Sequence, residues 1–283
     1  MTRLAIIGTG IMGAAMARRW AGHGFDVVAW NRDRTKAEQL ADAGVRVTDR
    51  VVDAVEGAEV IVTMLADGDV TESVMVDGLG ATAPGAIWVQ MATVGIDATD
   101  RLGAMADKAG VGFVDAPVSG TKQPAEKGML TVLAGGPEPL RDRCEPVFAP
   151  VAMKVVWVGD AGAGSRLKLV TNSWLSALLA GLAEAIALAE GIGVDPRQFL
   201  AAIEGGPLAS SYATAKGPMM IDRTYPTAFP LHLFTKDVKL VAAAAAGAGL
   251  DLRLPAAIRS LLEEAEKNHR LDDMSAIIEA LRS

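Results

Sequence analysis

Lys168 and Asn172 stand four residues apart in the run GAGSRLKLVTNSWL (162–175), inside a largely apolar stretch. On a helix that spacing sends both side chains out of one face. A partly desolvated lysine in such surroundings can have a lowered pKa and exchange a proton with a substrate oxygen. A carbonyl being reduced by hydride needs a donor of that kind. A second segment, DAPVSGTKQPAEKGML (115–130), carries Ser119 and Gly120 in an expected turn after a strand. A serine hydroxyl beside consecutive backbone N–H groups makes a small concavity for an anion.

A hydride needs a carrier, and the N-terminal segment LAIIGTGIMGAAMARRW (4–20) has the form of a dinucleotide site. Gly8, Gly10 and Gly13 follow a strand-like run and open a helix-like one. The first glycine permits the tight turn, the second lets the backbone approach a pyrophosphate, and the third lets helix and strand pack closely. The whole turn, Gly8, Thr9, Gly10, Ile11, Met12 and Gly13, is therefore the expected cofactor contact. At the end of the next strand, VVAWNRDRTK (27–36), Asn31 and Arg32 stand where an NAD site usually has an acidic residue for the ribose 2′-hydroxyl. A guanidinium there can pair with a 2′-phosphate, so NADP(H) is the expected cofactor, with NAD as a weaker one. Arg34 and Lys36 fit a solvated cluster at a helix start.

These residues must be held by regular elements. Short β-rich runs at 4–7, 27–30, 60–64, 87–90, 111–114, 130–134 and 154–158 alternate with helical stretches, including 13–23 and 35–43. That alternation implies crossover units, a mostly parallel sheet and helices on both its faces. After Gly159 the strand pattern ends. Residues 165–190 read as one long helix, apolar on nearly every side, which should be buried between domains or subunits. Pro196 can open the next helix, and others are expected at 235–248 and 256–269. The expected organisation is a Rossmann-type, doubly wound α/β domain (1–162) that binds the cofactor. A long interdomain helix leads into an all-helical domain (163–283) for substrate and dimerisation.

A formal charge of −7 argues against a nucleic-acid partner, which would need a basic patch. The single cysteine, Cys144, excludes an intramolecular disulfide and a Cys-rich zinc site, and is expected as a half-buried thiol. No metal ligand set is expected. The chain opens on a strand-like run without a charged leader, and its longest apolar stretch, Trp174 to Ala183, is short for a bilayer span. A cytoplasmic protein with no membrane partner is expected.

Taken in order, GTGIMG (8–13), TML (63–65), MATV (91–94), DAPVSG (115–120), Lys168 with Asn172, and KD (236–237) resemble the β-hydroxyacid dehydrogenase family over essentially the whole length. The resemblance implies oxidoreductase activity on a small carboxylate-bearing aldehyde or hydroxy acid, with a homodimer or homotetramer as the assembly. It puts the family's catalytic lysine on Lys168, its substrate-contacting Ser-Gly pair on Ser119 and Gly120, and its helix asparagine on Asn172. Cofactor contacts fall on Met64, Leu65, Thr93 and Lys236, with Asp237 a neighbour of the active-site lysines. Ala92 replaces the family's usual serine, Ala66 its proline, and Thr121 its second glycine. The SGTKQPAEKG version is similar to the glyoxylate/succinic semialdehyde reductase branch, which prefers NADPH. Imine reductases share the architecture but generally replace the lysine, as do non-catalytic dinucleotide-binding modules, so Lys168 counts against both alternatives.

Overall fold

The computed structural model describes residues 1–282 and divides into two compact units, Met1–Lys168 and Leu169–Ser283. The first unit alternates as the sequence pattern requires. β1 (Arg3–Ile7), α1 (Ile11–Gly22), β2 (Asp26–Trp30), α2 (Arg34–Glu38), β3 (Arg46–Val47), α3 (Val51–Val55) and β4 (Val60–Thr63) form its first half. α4 (Gly68–Leu79), β5 (Ile87–Gln90), α5 (Ile96–Lys108) and β6 (Gly112–Asp115) continue it. β7 (Val118–Ser119), α6 (Lys122–Lys127), β8 (Leu130–Gly135), α7 (Glu138–Phe148) and β9 (Ala152–Gly159) complete the sheet.

The strand order is β3-β2-β1-β4-β5-β6-β8-β7, with β9 paired to β8. β1 to β6 pair in parallel, whereas β8 runs antiparallel to β6 and β7. Strands covered on both faces read as continuous apolar runs, and alternate residues then serve two cores. Leu4 and Ile6 enter one core with Met16, Trp20 and Phe148, while Ala5 and Ile7 enter the other with Met75, Trp88 and Leu102. Because β1 and β4 are neighbours but not consecutive, the order reverses between them. Ligands of open α/β sheets bind at the carboxyl ends of strands at such a switch point.

The second unit is helical. α8 (Ala163–Gly191) begins in the first unit, and the division falls after Lys168. α9 (Pro196–Ile203), α10 (Ser211–Ile221), α11 (Leu231–Gly247), α12 (Arg253–His269) and a 3₁₀ segment (Met274–Leu281) follow. Leu179, Ile186, Phe234, Leu262 and Ile277 are among the residues of their common core. A buried ion pair ties it together: Lys216 Nζ lies 2.7 Å from Asp273 Oδ1, and the Asp273 carboxylate also accepts the Ala228, Phe229 and Ser275 N–H groups.

Three local expectations change. The helix expected over 35–43 stops at Glu38 and a 3₁₀ turn follows at Ala41–Ala43, with the Gln39 carbonyl between them accepting the Arg18 guanidinium. Cys144 is fully buried in α7, where burial pushes its thiol up to about 12. α8 matches the long helix expected over 165–190, but although the apolar stretch 174–183 is short for a span, the whole helix could cross a bilayer by length and composition. The core helix of a protein that never meets a membrane passes the same test, and Leu179, Leu182, Ala183 and Ile186 here are core residues. Nor is α8 buried on all sides. The chain covers one face of it and leaves Val170, Trp174 and Leu188 more than 60% exposed, at 66%, 67% and 62%.

Candidate functional site

The glycine turn follows β1 at the switch point. Gly8 has a φ of +105°, and a Cβ there would stand 2.5 Å from the Met64 carbonyl oxygen; one on Gly13 would stand 2.0 Å from that of Gly8. Both positions thus admit only glycine, one for its backbone and both for space. A Cβ on Gly10 would meet nothing within 4 Å, so the turn is open on that side. Gly10 also caps α1 without any side-chain hydrogen bond, and the first N–H groups of a helix have no partner within it. Thr9 is 3% exposed, yet its Oγ1 has no hydrogen-bond partner. An open groove of about 740 Å³ is lined by Thr9, Gly10, Ile11, Lys36 and Lys122, among others. Free helix N–H groups, an orphaned hydroxyl and nearby cations fit the pyrophosphate of a dinucleotide.

At the end of β2 the Asn31 carboxamide is fully engaged. Its Oδ1 accepts the Thr9 N–H at 3.0 Å and its Nδ2 donates to the Asp33 carbonyl at 2.9 Å, tying the glycine turn to the β2–α2 loop. Arg34 pairs with Glu38 at 2.7 Å and with Asp49. Arg32 is exposed, and its guanidinium has no ion pair or hydrogen bond among the described residues. The loop therefore offers one uncommitted guanidinium next to a rigidly held turn.

Met64 and Leu65 follow β4, with Met64 N–H donating to Ile7 O at 2.9 Å. Thr93 follows β5, and a device unseen in the sequence holds its loop. Buried Gln90 donates from Nε2 to Ala92 O at 2.7 Å and accepts the Ala92 N–H on Oε1 at 2.8 Å. Trp88 Nε1 donates to Thr63 Oγ1 at 2.9 Å within the same buried cluster. A glutamine at the end of an otherwise apolar strand was the available signal.

Ser119 lies in the short strand β7, opposite Thr131, rather than in a turn. Gly120 follows at φ +126°, where a Cβ would be 2.7 Å from Leu130 Cδ2, and the chain then turns into α6. Asp115, at the end of β6, is fully buried. Its Oδ1 accepts the Gly162 N–H at 2.5 Å and its Oδ2 the Ser165 N–H at 2.6 Å. Burial pushes this carboxyl up to about 6, against the opposing pull of those two N–H donors. No local pattern in the sequence marks this role of Asp115, whose partners are 47 and 50 residues away.

Lys168 is 6% exposed in the second turn of α8, and Asn172, one turn further on, is 1% exposed. Within the helical unit Asn172 Nδ2 donates to Asp237 Oδ2 at 2.9 Å, and Lys236 Nζ lies 3.0 Å from Asp237 Oδ1. Asn172 Oδ1 is buried without a partner. Such an atom costs free energy unless a donor reaches it, and it marks a place for a ligand hydroxyl or water. No group of His, Cys, Asp and Glu able to hold a metal ion occurs among the described residues.

Residues 3–159 match the family model for the NAD binding domain of 6-phosphogluconate dehydrogenase. Residues 162–281 match that for the NAD-binding domain of NADP-dependent 3-hydroxyisobutyrate dehydrogenase. The chain is 31% identical over 284 residues to glyoxylate/succinic semialdehyde reductase 2 of Arabidopsis thaliana, covering 99% of this chain and 79% of that protein. It is 27% identical to the cytokine-like nuclear factor N-PAC of Anopheles gambiae, over 97% of this chain and 49% of that protein. Among solved structures, Mycobacterium tuberculosis 3-hydroxyisobutyrate dehydrogenase with L-serine superposes at a TM-score of 0.90, with 30% identity and complete coverage of both chains.

Proposed function

The chain belongs to the β-hydroxyacid dehydrogenase family, and from that premise we propose that it moves hydride between NADP(H) and a small carboxylate-bearing aldehyde or its hydroxy acid. Glyoxylate, succinic semialdehyde and 3-hydroxyisobutyrate are the first substrates to try. The observation that carries this reading is Lys168, a lysine 6% exposed and one helical turn before a buried asparagine with an unpartnered oxygen. The cofactor supplies or takes the hydride. As negative charge builds on the substrate oxygen, the Lys168 ammonium neutralises it and gives up a proton; in oxidation the neutral amine takes that proton back. Asn172 orients the same oxygen, and Asp237, bonded to Asn172, keeps its amide the right way round. Ser119 and the Gly120 N–H hold the substrate carboxylate. Uncommitted Arg32 favours a 2′-phosphate, so NADPH is preferred over NADH.

In this reading residues 1–162 hold the cofactor, and residues 163–283 bind substrate and carry the contacts of a homodimer or homotetramer. The exposed Val170, Trp174 and Leu188 supply apolar surface for such contacts. The enzyme works in the cytoplasm. The deciding experiment follows NADPH absorbance with a panel of semialdehydes, uncharged aldehydes and cyclic imines. Turnover of the acid-bearing aldehydes is expected. Turnover of imines alone would make it an imine reductase, and turnover of nothing in the panel would favour a non-catalytic dinucleotide-binding module.

A further inference from the structure

The first turn of α8, one turn before Lys168, is clamped to the sheet, and Asp115 is the centre of the clamp. Both carboxylate oxygens are used, one on the Gly162 N–H at 2.5 Å and one on the Ser165 N–H at 2.6 Å. The backbone around it leaves no slack. A Cβ on Gly164 would stand 2.2 Å from Leu133 O and 2.8 Å from Asp115 O, and one on Gly135 would stand 2.6 Å from Asp160 O and 2.7 Å from Asp115 Oδ1. Thr99 Oγ1 closes the remaining side with a 3.0 Å bond to Ser165 Oγ. A carboxylate at a helix N-terminus is also electrostatically favoured there. Lys168 is three residues beyond Ser165, so it lies on the neighbouring turn of the same side of the helix. A helix is stiff over one turn, so the Lys168 backbone, from which the ammonium is carried, moves with that of Ser165.

We propose that Asp115 is a positioning residue for hydride transfer, setting where the Lys168 ammonium stands by fixing the first turn of α8 to the end of β6. The proposal rests on the reading of Lys168 as proton donor and acceptor. Asp115 itself touches neither substrate nor cofactor in this scheme. Asparagine at this position keeps one acceptor but presents an NH₂ group to the second N–H, so the turn must shift. A misplacement of about 1 Å can cost up to about a hundredfold in rate.

A double-mutant cycle tests it. Asp115→Asn is made in the wild-type enzyme and in Lys168→Ala, with single-turnover NADPH oxidation by a semialdehyde as readout and NADPH Kd followed by cofactor fluorescence. In the wild-type background the single-turnover rate should fall about tenfold to a hundredfold, with NADPH Kd within about twofold. In the Lys168→Ala background the same substitution should cost almost nothing further, because coupled residues are non-additive. An equal loss in both backgrounds, or a parallel weakening of NADPH binding, makes Asp115 a general structural brace and overturns the proposal while leaving Lys168 its role. A Lys168→Ala enzyme with near-normal turnover overturns the Lys168 reading and the proposal together. Should Asp115→Asn not fold, Asp115→Ser, whose hydroxyl still accepts one N–H, goes through the same cycle with the same expectations.

Discussion

Asn172 donates from Nδ2 to Asp237 Oδ2 at 2.9 Å while its own carbonyl oxygen stays buried without a partner. The bond to Asp237 fixes which end of the amide is which, and so commits the oxygen to the role of acceptor. Asn172→Ala removes that acceptor, and kcat/KM for a semialdehyde should fall about tenfold to a hundredfold, as for a lost buried hydrogen bond of roughly 1.4–3 kcal/mol. NADPH Kd should hold. Asn172→Asp should do worse as pH rises, because two buried carboxylates in contact cannot both ionise. A kcat/KM within about twofold of wild type for the alanine variant would remove Asn172 from the site.

Arg32 is the exposed guanidinium of the β2–α2 loop with no protein partner among the described residues, whereas Arg34 is held by Glu38 and Asp49. Arg32→Ala should raise KM for NADPH about tenfold to a hundredfold, since a hydrogen bond to a charged group contributes roughly 1.5–3 kcal/mol. NADH kinetics should scarcely change. Equal weakening of both cofactors would mean that Arg32 holds the loop rather than reading the phosphate.

Lys168→Ala should lower kcat by about 10²–10⁴, the usual worth of positioned acid–base catalysis, with NADPH still bound normally. Lys168→Arg should be almost as slow, because arginine keeps its charge but does not give up a proton at working pH. Near-normal turnover by the arginine variant would leave charge stabilisation as the whole role.

Ser119 and Gly120 are assigned to the substrate carboxylate. Ser119→Ala should therefore reduce kcat/KM for acid-bearing aldehydes far more than for uncharged aldehydes of similar size, by about tenfold if one charge-assisted bond is lost. The comparison is internal to one enzyme preparation, so a folding defect lowers both rates alike. An equal loss for both kinds of substrate would dismiss the anion site.

Asp115 also predicts a pH dependence of stability. Burial raises its folded pKa to about 6, against ~3.9 in an unfolded chain. The folded protein thus binds this proton more tightly than the unfolded chain does. The stability it contributes is full below about pH 4 and is lost as pH rises through about 6, an effect on the order of 3 kcal/mol. Urea unfolding from about pH 4 to about pH 7 should therefore show wild type losing ground to Asp115→Asn. A gap between the two that stays constant with pH would contradict the assignment.

What the sequence alone determined is whatever depends on neighbours along the chain. The Gly8–Gly10–Gly13 spacing, the period-two cores of the parallel strands and the one-turn spacing of Lys168 and Asn172 are local patterns, set by pleat and helical pitch. They located the glycine turn, most of the strands and the long helix, with ends moved by a few residues. Only the tertiary structure decided what depends on distant partners. No local pattern says that Asp115 closes on Gly162 and Ser165, that Asn172 spends its amide on Asp237, or that Asn31 holds Thr9. Nor could apolarity alone say which side of α8 the chain covers, since Trp174 and Leu179 read alike in sequence yet are 67% and 0% exposed. A buried polar group needs a partner wherever in the chain that partner lies, and only folding brings the two together.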